Sequence, residues 1–130
     1  MVSELNTKII AIGTLLHTSG SVSLPTGSLA AAGQINLTAG TWIVTLHAYS
    51  NSSYTSGYME IWIATTTSQV AGENQNEYAN GTSAYNNDYP RLATTRILKV
   101  DGSTPVYGRY FQNSGSKREV KYKMSAVRIA

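Results

Sequence analysis

The run LTAGTWIVTLHAYSN over residues 37–51 constrains this chain more than any other stretch. A Gly-containing turn at Ala39-Gly40 leads into residues that are mostly β-branched or aromatic, and such a run bounded by turns is a strand. Side chains alternate along a strand, so Trp42, Val44, Leu46 and Ala48 share one face and Ile43, Thr45, His47 and Tyr49 the other. The first face is apolar throughout and marks a core. The second is half apolar, and a strand that wants cover on both faces belongs in the middle of a sandwich or at a subunit interface.

The same signature recurs along the chain. Residues 8–17 read as a strand with Ile10, Ile12 and Leu16 on one side and Ile9, Ala11 and Leu15 on the other. Residues 19–27 contain Gly20, Pro25 and Gly27 and leave room for a short edge segment at 22–24, since proline is tolerated at edges. Residues 29–33 are Ala-rich but too short for an independent helix, and 34–37 form a short strand. Residues 58–66 are the next strand, expected to pair antiparallel with the preceding one across a short loop. Residues 67–89 hold few apolar groups; a loop of that length is either functional or contains a short strand, placed near 76–79. Strands follow at 92–100, 105–112 and 120–129, with turns at 101–103 and 113–117. No segment keeps a helical period. About eight strands with turn signals roughly every ten residues predict an all-β fold, an antiparallel β-sandwich of the jelly-roll kind.

A chain of 130 residues suits one domain, read as 8–130 after a lead-in at 1–7. Its hydrophobic content of 42% is enough for a core, while 13% charged residues is about half the usual share. The surface must therefore be largely hydroxyl and amide, which suits sugar contact, repetitive assemblies and extracellular life. With no cysteine, stability must come from the core or from oligomerisation. The apolar run 9–16 is too short to span a bilayer and reads as a buried strand rather than a signal peptide, so membrane insertion is not expected and an extracellular role would follow host lysis. Net charge is +3, but Lys117, Arg118, Lys121 and Lys123, with Glu119 among them, read as a solvated strand edge. Tyr122 alone falls between two of them, which is no RNA-stacking signature, so nucleic acid is not expected as a partner.

Catalytic constellations are lacking. Glu73 with Glu77 or Asp88 is the one local pairing a glycosidase could use, and a flexible polar insert positions neither. His17 and His47 lie far apart in sequence without metal-ligand spacing, and there is no nucleophile elbow, phosphate-binding loop or dinucleotide fingerprint. A calcium site from Asn86, Asn87 and Asp88 would offer a single carboxylate, which is meagre. The expectation is a protein without catalytic residues, metal or cofactor. Asn36, Asn51 and Asn80 open glycosylation-type triplets of the kind that arise by chance in an Asn- and Ser/Thr-rich chain.

Recognition chemistry concentrates in the insert, with Tyr78, Asn80, Tyr85, Asn86, Asn87, Asp88 and Tyr89. Flat tyrosine rings lose little entropy on covering a sugar or protein surface, and amides pair with hydroxyls. Jelly-roll order would bring Tyr54, Tyr85, Tyr89 and Lys117 to one rim. A second set, Trp62, Tyr107, Phe111, Tyr122 and Ile129, is too large and apolar for the faces a lone sandwich leaves in water, and predicts an interface with other copies.

The segments AGTWIVTLHAYSN, GYMEIWIA, TTRILKV, TPVYGRYFQNSGS and MSAVRIA together resemble the C-terminal head domains of bacteriophage tail fibres and related virion fibre proteins. Such heads are similar to the trimeric jelly-roll group that includes complement-type and tumour-necrosis-factor-like domains. The resemblance runs from about residue 37 to residue 130, apart from 67–89. It implies a homotrimer with the terminal strand near the axis, a place in a virion tail fibre or on a capsid beside other virion proteins, and binding of a host-cell surface saccharide or protein through distal loops. The same resemblance fits a purely trimerising or capsid-decorating module. A polysaccharide-degrading enzyme would instead depend on Glu73, Glu77 or Asp88.

Overall fold

The alternating runs from residue 15 onward form strands in the computed structural model, which describes residues 12–51, 56–66, 79–83 and 89–130, for 79–83 the backbone alone. The strands are β1 (Leu15–Leu24), β2 (Ala30–Leu37), β3 (Gly40–Ser50), β4 (Tyr58–Ala64), β5 (Ala79–Ser83), β6 (Arg91–Val100), β7 (Thr104–Gln112) and β8 (Arg118–Arg128). They make two four-stranded antiparallel sheets, ordered β1-β8-β3-β6 and β2-β7-β4-β5. Each connection except that from β4 to β5 steps from one sheet to the other. That wrapped order is a jelly-roll β-sandwich.

Several local expectations need correction. β3 and β4 do not pair: β3 lies between β6 and β8, and β4 between β5 and β7. Both edges of β3 are satisfied within its own sheet, and the apolar face carrying Trp42 needs a second sheet over it, so the chain crosses rather than doubling back. The first strand was placed at 8–17 with a separate segment at 22–24. Among the described residues it starts at Leu15 after a turn at Ile12-Gly13 and runs unbroken to Leu24. The Ala-rich stretch belongs to β2 from Ala30, and the short strand expected near 76–79 stands at Ala79–Ser83. Residues 1–11 lie outside the described ones.

The core fills the space between the sheets. Trp42, Val44, Leu46 and Ala48 of β3 meet Ile35 and Leu37 of β2, Met59, Ile61 and Ile63 of β4, and Val106 and Tyr110 of β7. The Trp42 indole N–H donates to the Thr38 carbonyl at 2.9 Å, so the largest side chain of the organising strand is buried with its one polar atom paired. The Tyr110 hydroxyl donates to the Ala32 carbonyl at 3.1 Å. Burial, with the neighbouring Tyr122 phenol second, pushes the Tyr110 phenol well above its ordinary range.

Candidate functional site

One end of the sandwich is a rim of connections. Strand register puts Leu24 opposite Arg118, Tyr49 opposite Arg91, Ser50 opposite Val120 and Met59 opposite Gln112, so the connections 25–29, 51–57, 84–90 and 113–117 all leave from the same end. Backbone hydrogen bonds lace this end together: Gly27 N to Gln112 O at 2.8 Å, Ser50 N to Pro90 O at 2.9 Å, Asn51 N to Glu119 O at 3.0 Å and Asn113 N to Tyr58 O at 3.1 Å. The Asn113 side-chain oxygen accepts in turn from Tyr58 N at 2.7 Å.

Beneath the rim lies a polar device that sequence reasoning passed over. Gln112 is fully buried, and its amide nitrogen donates to Leu24 O at 3.0 Å and Ser116 O at 2.8 Å. Its amide oxygen accepts from Ser114 N at 2.8 Å and Ser114 Oγ at 2.7 Å. Arg118 Nε donates to Ser114 Oγ at 2.9 Å. One amide thereby fixes both the end of β1 and the whole turn 113–117. The signal was available, because Val106, Gly108, Tyr110 and Gln112 share the inward phase of β7 and a glutamine in that phase is buried.

Two of the expected recognition residues are placed at this rim. Tyr89 is 59% exposed beside the buried Pro90, and Lys117 is exposed on the 113–117 turn. Asn80 is in β5 opposite Ile61, within a strand rather than on a rim loop. Tyr54, Tyr78, Tyr85, Asn86, Asn87 and Asp88 lie outside the described residues, as do Glu73 and Glu77.

The residues expected to form an interface do not share one face. Trp62 is 1% exposed in the single chain, with the Arg109 guanidinium carbon 5.0 Å from its ring centre, so it needs no second copy for cover. Tyr122 points between the sheets, its ring 5.7 Å from that of Tyr110, and is part of one chain's own core margin. Tyr107 and Phe111 are half-buried on the outer face of the second sheet, Phe111 with its ring 5.6 Å from that of Tyr58. Ile129 follows β8, exposed, its N–H bonded to Thr41 O at 2.8 Å.

A different surface carries the unpartnered apolar groups. On the outer face of the first sheet, Leu15, Val127, Ile43 and Ile97 stand in one register row across all four strands. Ile97 is 64% and Leu15 58% exposed. The next row is His17, Ser125, Thr45 and Thr95, then Ser19, Lys123, His47 and Ala93, and nearest the rim Ser21, Lys121, Tyr49 and Arg91. The face thus grades from aliphatic to basic along the strands. His17 and His47, far apart in sequence, line the same depression of about 660 Å³ over β1, β8 and β3, together with Lys121 and Lys123. No group of three metal-ligating side chains occurs among the described residues.

No protein-family model matches the sequence, and no curated protein matches it. Solved structures do match in fold. Eiger TNF from S. frugiperda superposes with a TM-score of 0.56 at 11% identity, over 89% of this chain and 93% of that one. A chain of the T13 IBDV viral particle gives a TM-score of 0.51 at 10% identity, over 90% of this chain and 36% of the viral one. At such identities the likeness establishes the jelly-roll fold and nothing further about this protein.

Proposed function

We propose that the chain is a non-enzymatic virion-surface module, the head of a phage fibre, that assembles with copies of itself through the aliphatic end of the outer face of its first sheet and contacts a host-cell receptor through the rim loops. The aliphatic row, exposed at Leu15 and Ile97 and half-buried at Val127 and Ile43, carries this reading. A contiguous apolar stripe across a four-stranded sheet marks an association surface. Closed cyclic association, a trimer in the resemblance noted above, would cover it and shield the sheet edges at β1 and β6. The fold shared with a chain of a viral particle supports the virion setting by analogy alone.

Light scattering on the purified protein tests the assembly. The expected mass is three times the 14.0 kDa chain, falling to that of one chain when Ile97→Lys places a charge in the row. Ile97 is exposed in the single chain, so the substitution leaves the core intact and a change in mass reports the interface. A wild-type monomer at micromolar concentration would refute it.

Receptor contact is tested with Tyr89→Ala, which is expected to lower adsorption to host cells at least about tenfold with the assembly mass unchanged, as for an exposed aromatic anchor. Unchanged adsorption with intact mass would favour the purely structural, capsid-decorating role.

A further inference from the structure

The basic rows of the first sheet's outer face have a chemistry of their own. Lys121 and Lys123 project from the same side of β8 two residues apart, a spacing of roughly 7 Å along a strand. Opposite them on β3 stand Tyr49 and His47, and opposite Lys123 on β1 stands Ser19. The Arg91 guanidinium, its central carbon 5.2 Å from the Tyr49 ring centre, adds a third permanent cation at the margin. Among the described residues the lining of the depression includes no carboxylate. The one acid on this face near it among the described residues is Glu119, two residues beyond Lys121 toward the rim. Among the described residues neither lysine forms an ion pair.

We propose that this depression binds an acidic saccharide, with carboxylates of neighbouring sugars on the Lys121 and Lys123 ammonium groups. Tyr49 supplies an exposed ring for the apolar face of a sugar, and the hydroxyls of Ser19 and Ser125 are placed to pair with sugar hydroxyls. Two features disfavour other polyanions. A nucleic-acid strand calls for several large stacking rings along a groove, and among the described residues this one has a single outward phenol beside the smaller imidazoles of His17 and His47. A peptide that binds by strand addition needs an open sheet edge, whereas the depression is centred on β8 and β3, whose edges are both paired.

The site does not rest on self-association. The site runs from Ser125, two residues along β8 from Val127 and roughly 7 Å from the aliphatic row, to His47 and Tyr49, four and six residues along β3 from Ile43 and roughly 13 and 20 Å away, so its lysines and its ring stand clear of that row. A failed mass measurement would therefore leave the binding site standing, and the reverse.

The test is calorimetric titration of the full chain with a hexamer of galacturonate, a neutral hexaose and a six-base single-stranded DNA, at low and at physiological salt. Wild type should bind the uronate hexamer, more weakly as salt rises, and the neutral sugar at least about tenfold more weakly. Lys121→Gln with Lys123→Gln should lose at least about tenfold of the uronate affinity, as expected when charge-assisted hydrogen bonds are removed. Lys99→Gln, at the aliphatic end of the same face, should stay within about twofold because it makes no bond to the ligand. All variants should keep the wild-type melting temperature. Absence of uronate binding, equal losses from Lys99→Gln and from the Lys121/Lys123 pair, or tighter binding of the DNA would each overturn the proposal.

Discussion

Replacing Gln112 by Leu should lower stability by about 3 kcal/mol in urea denaturation, a large effect for a residue at the end of a strand. Leucine fills nearly the same volume but removes four hydrogen bonds at once, two donated by the amide and two accepted. The Ser114 N–H then loses its partner in a buried setting, where an orphaned group costs about 1–3 kcal/mol, while Ser116 O keeps the 3.2 Å bond from Ser114 Oγ. Gln112→Glu sharpens the argument. It keeps the acceptor for Ser114 but points a second oxygen at the carbonyls of Leu24 and Ser116, which are donors' targets and repel it. A glutamate so placed favours its protonated form in the folded state. The folded-state value is raised, so the variant is most stable below the unfolded carboxyl's pH of about 4.3 and loses stability as pH rises past it. A Gln112→Leu protein within about 1 kcal/mol of wild type would mean that the amide merely fills space.

This network shows which parts of the molecule were legible in the chain. Period-2 alternation gave the strands, because each has one face against the core, and Trp42, Val44, Leu46 and Ala48 are buried as read. Pairing was less legible: the loop after β3 has hairpin length, and what sends β4 to the other sheet is the need to cover Trp42 rather than any residue in the loop. The shared rim of Tyr89 and Lys117 followed from strand order, which is a property of the whole topology. Trp62 and Tyr122 were read as wanting a second copy because their partners are remote in sequence, Arg109 for one and Tyr110 for the other. The convergence of His17 with His47 depends on the register of β8 between β1 and β3, and pairwise spacing carries no trace of it.

Tyr122 yields the second large expected effect, because its core role and its supposed interface role predict opposite patterns. Its side chain occupies the space that a Cβ on Gly20 or Gly33 would need, with the hydroxyl oxygen 2.7 Å from the ideal position at Gly20 and a ring carbon 2.7 Å from that at Gly33. It also lies against Tyr110 at 5.7 Å. Tyr122→Ala should therefore cost about 2–3 kcal/mol, below the range for a fully buried aromatic because the ring is half-buried. The mass by light scattering should not change, in contrast to Ile97→Lys. Gly20 then gives an internal check. Alanine there must displace the Tyr122 hydroxyl in the wild type and should destabilise it, yet in the Tyr122→Ala background the space is empty. Removing a flexible glycine from a strand then gains about 0.5–1 kcal/mol. Gly33 offers no such test, since its φ of +81° strains any other residue whatever the space around it. A reversal of sign for Gly20→Ala between the two backgrounds is the signature of a ring packed on a cross-strand glycine within one chain. A Tyr122→Ala protein that keeps its stability but falls to the mass of one chain would instead return Tyr122 to the interface between copies.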